Sequence, residues 1–433
     1  MSKIKKNFFR KIPRAKVYLK FPHLLTIFLK ILFKKLALSE KTTELEQALQ
    51  NYFGFSERSA SGGKEVIMFS RARLALFYLL KNLELPKGSE LIMTPLTIAD
   101  IFNAVRWAGL TPVFCDLGNN TYNIDYEKLE ETITPKTKVL FITHLTGLAT
   151  DMDEIERIVK KYNLILIEDI SQAFGAEFKG KKLGTFGAAS ISSISFLKTF
   201  CALSGGILGI NEANSLLSKK IKDEIKNLPP PSKKFLIKET IRNLVLSIAT
   251  NKIIFSFFTY YVIKLFNIMH SNAFEEFIKS NPPPVLTDTP PQKLLFAFSD
   301  LQAEIGLKIL NTVAPRDNKR IENVKTFIEN LNPDARRYLP YIPENAKNVF
   351  WRLPFDIENP DELKKYFFKN YIDTTRTNLM LVSEVPAFHD YAKDTPCAKK
   401  AHSPIFIPIH SDFSKKDMIY MANIINEYFK KSF

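Results

Sequence analysis

Cysteine, glycine and tryptophan are all scarce in this sequence. Its 433 residues include 3 cysteines, 15 glycines and 2 tryptophans. The cysteines (Cys115, Cys201 and Cys397) lie far apart and form no C-x-x-C motif, so the sequence carries no zinc signature, predicts no metal site and fits a reducing compartment. The sequence alone excludes neither a free thiol nor a single disulfide between two of these cysteines. Low glycine content argues against a low-complexity architecture, and the length suits two or three globular domains.

Acidic residues are nearly absent from the first 40 positions. This stretch has eleven lysines and arginines and one acid, Glu40, and so carries roughly ten of the sixteen net positive charges of the chain. A basic surplus can indicate nucleic acid, an anionic membrane surface or anionic substrates. Because the surplus is concentrated in one arm, we expect no nucleic-acid partner.

The arm contains the segment "FPHLLTIFLKILFKKLALSE", in which apolar residues recur at helical spacing among lysines. A basic helix with an apolar face can lie in a membrane interface. The segment is too short and too charged to span a bilayer, and Lys30 interrupts the apolar run that a signal peptide would need. Packing on the body of the protein or on a second subunit is the alternative.

Short apolar runs alternate with amphipathic helical segments from about residue 60 onward. Predicted strands cover residues 90–95, 111–116, 138–144 and 164–169, and predicted helices cover residues 98–109, 126–134 and 151–162. "ISSIS" and "GGILGIN" read as further strands. This alternation predicts an α/β fold, with a mainly parallel sheet flanked by helices.

Two proline clusters, at 229–231 and 282–284, bracket the strongly apolar residues 243–270. We predict a basic N-terminal arm (1–59), a large domain (60–228), a hydrophobic helical insertion (229–291), a helix returning to the large domain (292–330) and a small C-terminal α+β domain (331–433). Residues 235–270 suit either an interfacial hairpin at a membrane or a helix pair buried in a dimer interface.

Charge is also missing around Lys198, the only charged residue between Lys182 and Glu212. Burial disfavours a charged amine and lowers its pKa, and a neutral amine can form a Schiff base with a carbonyl. A surface lysine in a serine-rich loop is the other interpretation.

A carboxylate pair, Glu168 and Asp169, ends the apolar run in "LILIEDISQAFGAEFKG". Ligands of open α/β sheets bind beyond the carboxyl ends of the strands. A carboxylate there can cap the next helix or face a ligand cation. Pyridoxal phosphate requires such an acid at its pyridinium nitrogen.

Taken together, these features resemble the DegT/DnrJ/EryC1/StrS family of pyridoxal-phosphate-dependent sugar aminotransferases, which have fold type I. The matching segments occur in the family's order: "ELIMTPLTIADIFNAVRWAGLTPVFCDLGNNTYNID", "THLTGLATDMDEI", "IEDISQAFGAEFKGKKLGTFG", "SDLQAEIGL" and "IPIHSDFSKKDM". The resemblance runs from about residue 60 to the C-terminus, without the insertion.

The resemblance implies roles for four polar residues. Lys198 falls at the position that links covalently to the cofactor, and Asp169 at the position of the pyridinium partner. Gln172 corresponds to the residue that bonds the ring hydroxyl, and Ser193 to a serine that binds the phosphate. Lys198 also favours amino transfer, because a family branch that dehydrates sugars has histidine there.

Three further positions depart from the family pattern. In the phosphate-binding turn "FSRARLAL", Ala72 replaces a glycine and is followed by Arg73, which could add a cationic phosphate contact. Ile98 stands where an aromatic residue would stack on the ring. Leu295–Ala297 replace a motif whose asparagine reaches the neighbouring subunit's phosphate.

The resemblance therefore predicts a transaminase that moves an amino group, by resemblance from glutamate, to a keto-sugar carried on a nucleotide. It also implies a homodimer with sites at the subunit interface. The arm and insertion add a hypothesis of envelope glycan or lipid assembly in the cytoplasm, at the inner face of a membrane. A catalytically idle cofactor-binding scaffold and a dehydratase or eliminase stay as alternatives. Arg376 and His389 are candidate lining residues.

Overall fold

A computed structural model describes residues 11–33, 40–55, 64–211, 215–269, 284–376 and 379–432. Residues 1–10, 34–39 and 56–59 of the predicted arm and residues 270–283 of the predicted insertion lie outside this set. The strands, in chain order, are β1 (Glu65–Phe69), β2 (Glu90–Met93), β3 (Leu96–Thr97), β4 (Thr111–Phe114), β5 (Thr137–Thr143), β6 (Ile165–Asp169), β7 (Glu177–Phe178), β8 (Lys181–Lys182), β9 (Ala189–Ser193), β10 (Gly206–Ile210), β11 (Ala346–Lys347), β12 (Leu353–Phe355), β13 (Met380–Leu381) and β14 (Ile405–Ile407).

Helices surround these strands. They are α1 (Phe21–Phe33), α2 (Glu40–Tyr52), α3 (Ala72–Asn82), α4 (Ala99–Trp107), α5 (Tyr126–Thr132), α6 (Met152–Tyr162), α7 (Ser215–Ile225), α8 (Lys233–Ala249), α9 (Lys252–Ile254), α10 (Tyr260–Ile268), α11 (Asp300–Leu310), α12 (Val313–Glu329), α13 (Pro333–Arg336), α14 (Pro360–Lys369), α15 (Pro396–Ala401) and α16 (Lys415–Ser432).

The central sheet has seven strands in the order β1-β10-β9-β6-β5-β2-β4. From β9 to β4 all neighbours are parallel, whereas β10 runs antiparallel to both β9 and β1. The prediction of a mainly parallel sheet is confirmed. The four strands predicted from the alternation are β2, β4, β5 and β6, and the further runs are β9 and β10.

Both faces of this sheet are buried, as expected for parallel strands between helices. Along β5, Val139 and Phe141 belong to one apolar core, while Leu140 and Ile142 belong to another on the opposite face. Side chains alternate across a strand, so each face contributes its own set. The predicted helices are found on the two faces as α4, α5 and α6.

The C-terminal residues form a second core around the two-stranded sheet of β12 and β14, packed against α12, α14 and α16. We call this part the small unit. The N-terminal segment joins it, because Ile12 forms a parallel bridge with Ile372 and Arg14 pairs with Asp373 at 2.7 Å. All three cysteines are unpaired.

Helix α1 lies antiparallel to α8 on the surface of the molecule. The Ser247 hydroxyl, near the end of α8, donates to the Leu19 carbonyl (3.0 Å), and Lys233, at the start of α8, donates to the Leu32 carbonyl (3.4 Å). The next helix, α2, packs Leu45 into the core of the large sheet against α11. The two helices of the arm therefore have different surroundings.

The second half of the insertion contacts the small unit. Helices α9 and α10 are joined through the π-helical turn Phe255–Thr259, and the Tyr260 hydroxyl donates to the Phe368 carbonyl (2.7 Å). Lys11 donates to the Ser256 carbonyl (2.7 Å). No single helix in the described ranges has both the length and the hydropathy to cross a bilayer. Helix α8 and the helical segment Lys252–Asn267 reach that length and hydropathy only when taken together, and the chain bends by 62° between them.

Candidate active site

Lys198 lies in the loop between β9 and β10, at one end of the central sheet. Leu197 and Leu203, on either side of it, both adopt left-handed backbone conformations (φ +65° and +64°). Leucine is disfavoured there, and such strain persists only where the surrounding structure imposes it, often at functional sites. The backbone around Lys198 is therefore held in an unfavourable conformation.

The Lys198 amine contacts an aromatic ring and lies within the electrostatic influence of a buried carboxylate. Its Nζ lies 4.1 Å from the Trp351 ring centre, and Trp351 is fixed by an indole hydrogen bond to the Leu197 carbonyl (2.9 Å). Burial lowers the Lys198 pKa to about 8, while the negative charge of Asp169 acts in the opposite direction. An amine with this pKa exists in both protonation states near neutral pH.

Asp169 is the last residue of β6 and is buried. Burial raises its pKa, opposed by hydrogen bonds from Ser171 and by the positive charge of Lys198. The Ser171 amide donates to Asp169 Oδ1 (2.8 Å), and the Ser171 hydroxyl accepts from the Ser193 amide (2.8 Å). Ser171 therefore ties the ends of β6 and β9 together.

Glu168, its neighbour in the motif, points to the opposite side of the strand. Its carboxylate accepts hydrogen bonds from the amides of Gly184 (2.7 Å), Phe186 (2.7 Å) and Gly187 (2.9 Å), and lies 3.3 Å from His144 Nε2. Glu168, His144, Gly184 and Gly187 are buried, and Phe186 is half-buried. Glu168 organises the loop before β9, whereas the charge of Asp169 acts on Lys198.

We expect Glu168→Ala to destabilise the protein by about 3 kcal/mol or more, since it leaves two buried N–H groups and one partly buried N–H group without their acceptor, at about 1–3 kcal/mol for each buried group. Denaturant unfolding monitored by circular dichroism measures this loss. Glu154→Ala, on the exposed side of α6, is the control and should change the stability by less than about 1 kcal/mol. Equal stabilities of the two variants would contradict the assignment.

The predicted residues Gln172 and Ser193 lie on either side of Asp169. Gln172 is buried, and its Oε1 accepts from the Thr146 amide (2.7 Å). The Ser193 hydroxyl lies 3.2 Å from the Ser195 hydroxyl. Both residues sit at the ends of the central strands, with Asp169, and their contacts to a cofactor stay predictions.

Ala72 is the first residue of α3, and Gly206 packs directly against it. A Cβ on Gly206 would lie 2.3 Å from the Ala72 amide nitrogen, so a glycine is required in this approach. Arg73 forms an ion pair with Asp100 of α4, and its phosphate contact stays a prediction. Arg71, just before the helix, is half-buried, and burial lowers its pKa to about 10.

The insertion covers this end of α3. Phe235 of α8 lies 5.0 Å from the Arg71 guanidinium, and Arg242 lies 4.3 Å from the ring of Phe196, two residues before Lys198. Glu239 acts on Arg71 as a nearby negative charge. Helix α8 therefore forms one wall of the region in which the sequence places a phosphate.

Ile98, at the start of α4, packs against the apolar core under the sheet. The sequence offered no aromatic substitute for it, but the structure brings in Trp351, which is far away along the chain. Trp351, Arg71 and Ser171 were not predicted. For Ser171, its position between Asp169 and Gln172 in the motif was a usable signal. For Trp351, the sequence contained no signal except that it is one of only two tryptophans.

The two candidate lining residues lie elsewhere. Arg376 pairs with Asp361 (3.0 Å), and His389 is exposed beside Asp390 (3.0 Å). Neither lines the pocket next to Lys198 described below.

The fold is that of the fold type I sugar aminotransferases. The structure superposes on Helicobacter pylori PseC, an aminotransferase of pseudoaminic acid biosynthesis, with a TM-score of 0.71 over 98% of this chain and 100% of that one, at 19% identity. The sugar aminotransferase Spr1654 of Streptococcus pneumoniae, in its PLP form, gives a TM-score of 0.70 over 98% and 100%, at 18% identity.

The chain belongs to the DegT/DnrJ/EryC1/StrS aminotransferase family, whose sequence profile matches residues 33–223 and 295–426. The unmatched residues between these ranges include the predicted insertion. A GDP-perosamine synthase of Escherichia coli O157:H7 is 38% identical over 143 residues, which are 33% of this chain and 39% of that protein. The chain matches less than half the length of such curated relatives.

Proposed function

We propose that this protein is a pyridoxal-phosphate-dependent aminotransferase that moves an amino group from glutamate to a keto-sugar linked to a nucleotide. The observation that carries the proposal is the buried pair of Lys198 and Asp169, whose charges act on each other at the end of the central sheet. Membership of an aminotransferase family supports it. The relative named GDP-perosamine synthase supports the sugar substrate.

The residues at this end of the sheet suit pyridoxal phosphate by their chemistry. Lys198 would bind it covalently, Asp169 would hold its ring nitrogen, Gln172 its ring hydroxyl, and Ser193 with the start of α3 its phosphate. When bound, the cofactor supplies an electron sink for the substrate carbon. The buried acid and the amine are the two groups that such a ligand requires, and the charge of each shifts the pKa of the other.

Lys198 would act as the proton carrier of the reaction. Once an incoming amine has displaced it, its pKa of about 8 would let it accept a proton from the substrate carbon and return it later. Trp351 would shield this amine from water and fix its direction. Asp169, held by Ser171, would keep its negative charge opposite the cofactor nitrogen.

The test is release of 2-oxoglutarate from glutamate by the purified protein, supplied with the cofactor and a panel of nucleotide-linked keto-sugars. Release that depends on the keto-sugar supports the proposal. Bound cofactor without any amino transfer would indicate the idle scaffold, and loss of a sugar hydroxyl without amino transfer would indicate the dehydratase.

We also propose that the enzyme works in the cytoplasm, bound to the inner face of a membrane through one apolar surface, in envelope glycan or lipid assembly. Helix α1 buries Leu24, Ile27 and Ile31 against the body but exposes apolar residues at the spacing of one helix face. Helices α8 to α10 expose a second set. The exposed residues are Phe21, Leu25, Leu29, Leu32, Phe33, Ile241, Val245, Ile248, Ile253, Ile254, Phe257, Phe258, Tyr261, Leu265 and Met269.

Charge supports a lipid partner for this surface. The first 40 residues carry eleven basic side chains and one acid, which suits an anionic headgroup layer. Phe257 and Phe258 are more than half exposed, an arrangement that water disfavours.

The homodimer is a further proposal, resting on the family resemblance, and light scattering of the purified protein measures it.

Replacing Leu25 and Leu29 by glutamate should lower binding to vesicles of phosphatidylglycerol and phosphatidylethanolamine by about 10-fold or more, because two exposed apolar side chains of α1 become charged. Vesicle co-sedimentation measures the partition, which should also weaken as salt is raised. Leu216→Glu, at an exposed leucine on α7, is the matched control. Unchanged partition in the double variant would contradict the membrane proposal. If the double variant instead had a lower molar mass by light scattering than the native protein, the exposed face of α1 would be a contact with a second subunit.

A further inference from the structure

A pocket lies next to Lys198, between the N-terminal segment Arg14–Tyr18 and the small unit. Leu197 lines it, and so does Trp351, whose ring contacts the Lys198 amine. The pocket therefore borders the candidate active site and shares Trp351 with it. Its N-terminal wall precedes residue 33, at which the match to the family begins.

The lining of this pocket is strongly basic. Among the described residues it contains four basic side chains, Arg14, Lys16, Arg320 and Arg352, and no carboxylate; His410 also lines it, but burial lowers the pKa of this imidazole to about 4. Three of them are balanced by carboxylates that do not line the pocket, in the pairs Arg14–Asp373, Lys16–Asp412 and Arg320–Asp317. Burial, together with the positive charge of Arg14, lowers the pKa of Arg352 to about 10.

Two buried polar atoms of the lining have no hydrogen-bond partner in the described part of the chain: the Tyr18 hydroxyl and His410 Nε2. The Tyr18 ring is held from outside by the Arg316 guanidinium, 4.2 Å from its centre. Buried polar groups are normally satisfied, so an unpaired pair in one pocket points to a ligand that completes them. Trp351 and Phe406 supply apolar walls against which the Arg352 guanidinium stacks (4.4 and 5.0 Å).

We infer that this pocket is an anion-binding part of the active site, in which Arg352 and Tyr18 hold a carboxylate or phosphate group of a substrate. The assignment to a substrate rests on the proposed function, whereas the anionic chemistry rests on the lining itself. Arginine suits both groups, since its guanidinium donates two parallel hydrogen bonds to either. The source is the carboxylate of the amino donor or the diphosphate of the nucleotide-linked sugar.

Titration calorimetry of the cofactor-free protein with 2-oxoglutarate and, separately, with inorganic pyrophosphate tests this inference. A probe that occupies the pocket should also change the fluorescence of Trp351, measured in a Trp107→Phe background because these are the two tryptophans. Arg352→Met should weaken the Kd by about 10-fold or more, and Tyr18→Phe by several-fold. Tyr18→Phe removes an atom without a partner, so the fold should be retained.

The matched controls are Arg337→Met and Tyr341→Phe, whose side chains are exposed and do not line the pocket. Binding of one probe that falls in the pocket variants and not in the controls supports the inference, and the probe that binds identifies the source. Equal Kd values in wild type and pocket variants, or no binding of either probe, would overturn it.

The outcome is separable from that of the proposed function, because neither the cofactor nor turnover is needed. A protein that binds a probe through Arg352 but transfers no amino group would retain the anion site and lose the transaminase assignment. A protein that transfers the amino group at full rate when Arg352 and Tyr18 are replaced would retain the function and lose the anion site.

Discussion

Lys198→Met is expected to lower glutamate-dependent amino transfer by about 10²–10⁴-fold or more, because it removes both the proposed covalent attachment point and the proposed proton carrier. The same variant should fail to retain the cofactor after borohydride reduction, which mass spectrometry of the Lys198 peptide detects in the native protein. Lys182→Met, at the preceding charged residue of the chain, is the control and should keep both properties. A variant that still transfers amino groups at the native rate would refute the role of Lys198.

A second measurement separates this role from a structural one. In the cofactor-free protein the folded-state pKa of Lys198 is about 8, below its ordinary value of 10.5. Burying the cation therefore costs stability at pH below about 8, and the cost disappears as the pH rises toward 10.5. Lys198→Met should thus be more stable than the native protein by about 3 kcal/mol at pH 7, and this gain should shrink as the pH rises from about 8 to beyond 10.5. If Lys198 instead stabilised the fold, Lys198→Met would be less stable than the native protein at pH 7.

The fold was predictable because short-range patterns determine it. Buried parallel strands must be apolar on both faces, and β5 and β6 are, so their sequence runs could be recognised directly. The antiparallel direction of β10 was not predictable in the same way. It depends on the loop of residues 194–205, which contains Lys198. The run Ser204-Gly205-Gly206 signals a turn there, but it does not determine in which direction the next strand pairs.

The site was predictable where its residues share a strand end and unpredictable where they meet through tertiary packing. Asp169 and Gln172 belong to one motif, and Ser193 precedes Lys198 by five residues. Trp351, by contrast, reaches Lys198 from the small unit, and nothing in its local sequence marks the contact. The same is true of Tyr18, whose place beside the site depends on how the N-terminal segment crosses the small unit.

The departures from the family pattern coincide with these unpredicted contacts. Ile98 supplies no aromatic face, but Trp351 brings a ring to the amine. Phe296, in the region where the family has a phosphate-reaching asparagine, packs on Phe235 of the insertion (ring centres 4.9 Å apart), which in turn covers Arg71. The insertion and the N-terminal segment thus line the region that those departures alter, which explains why motifs alone could not describe the site.

Asp169→Asn is expected to reduce kcat on the order of 10³-fold, since the neutral amide would leave the positive charge of the cofactor's ring nitrogen without its proposed partner. Asparagine keeps the shape and can still accept from the Ser171 amide, so the fold should be retained. Because the negative charge of Asp169 raises the pKa of Lys198, its loss should move that pKa below about 8. The pH dependence of aldehyde trapping by the cofactor-free protein measures this shift independently of turnover. Asp153→Asn, an exposed carboxylate paired with Lys179, should change neither quantity. If the trapping midpoint moved upward or stayed in place, Asp169 would not be the charge that faces the catalytic amine.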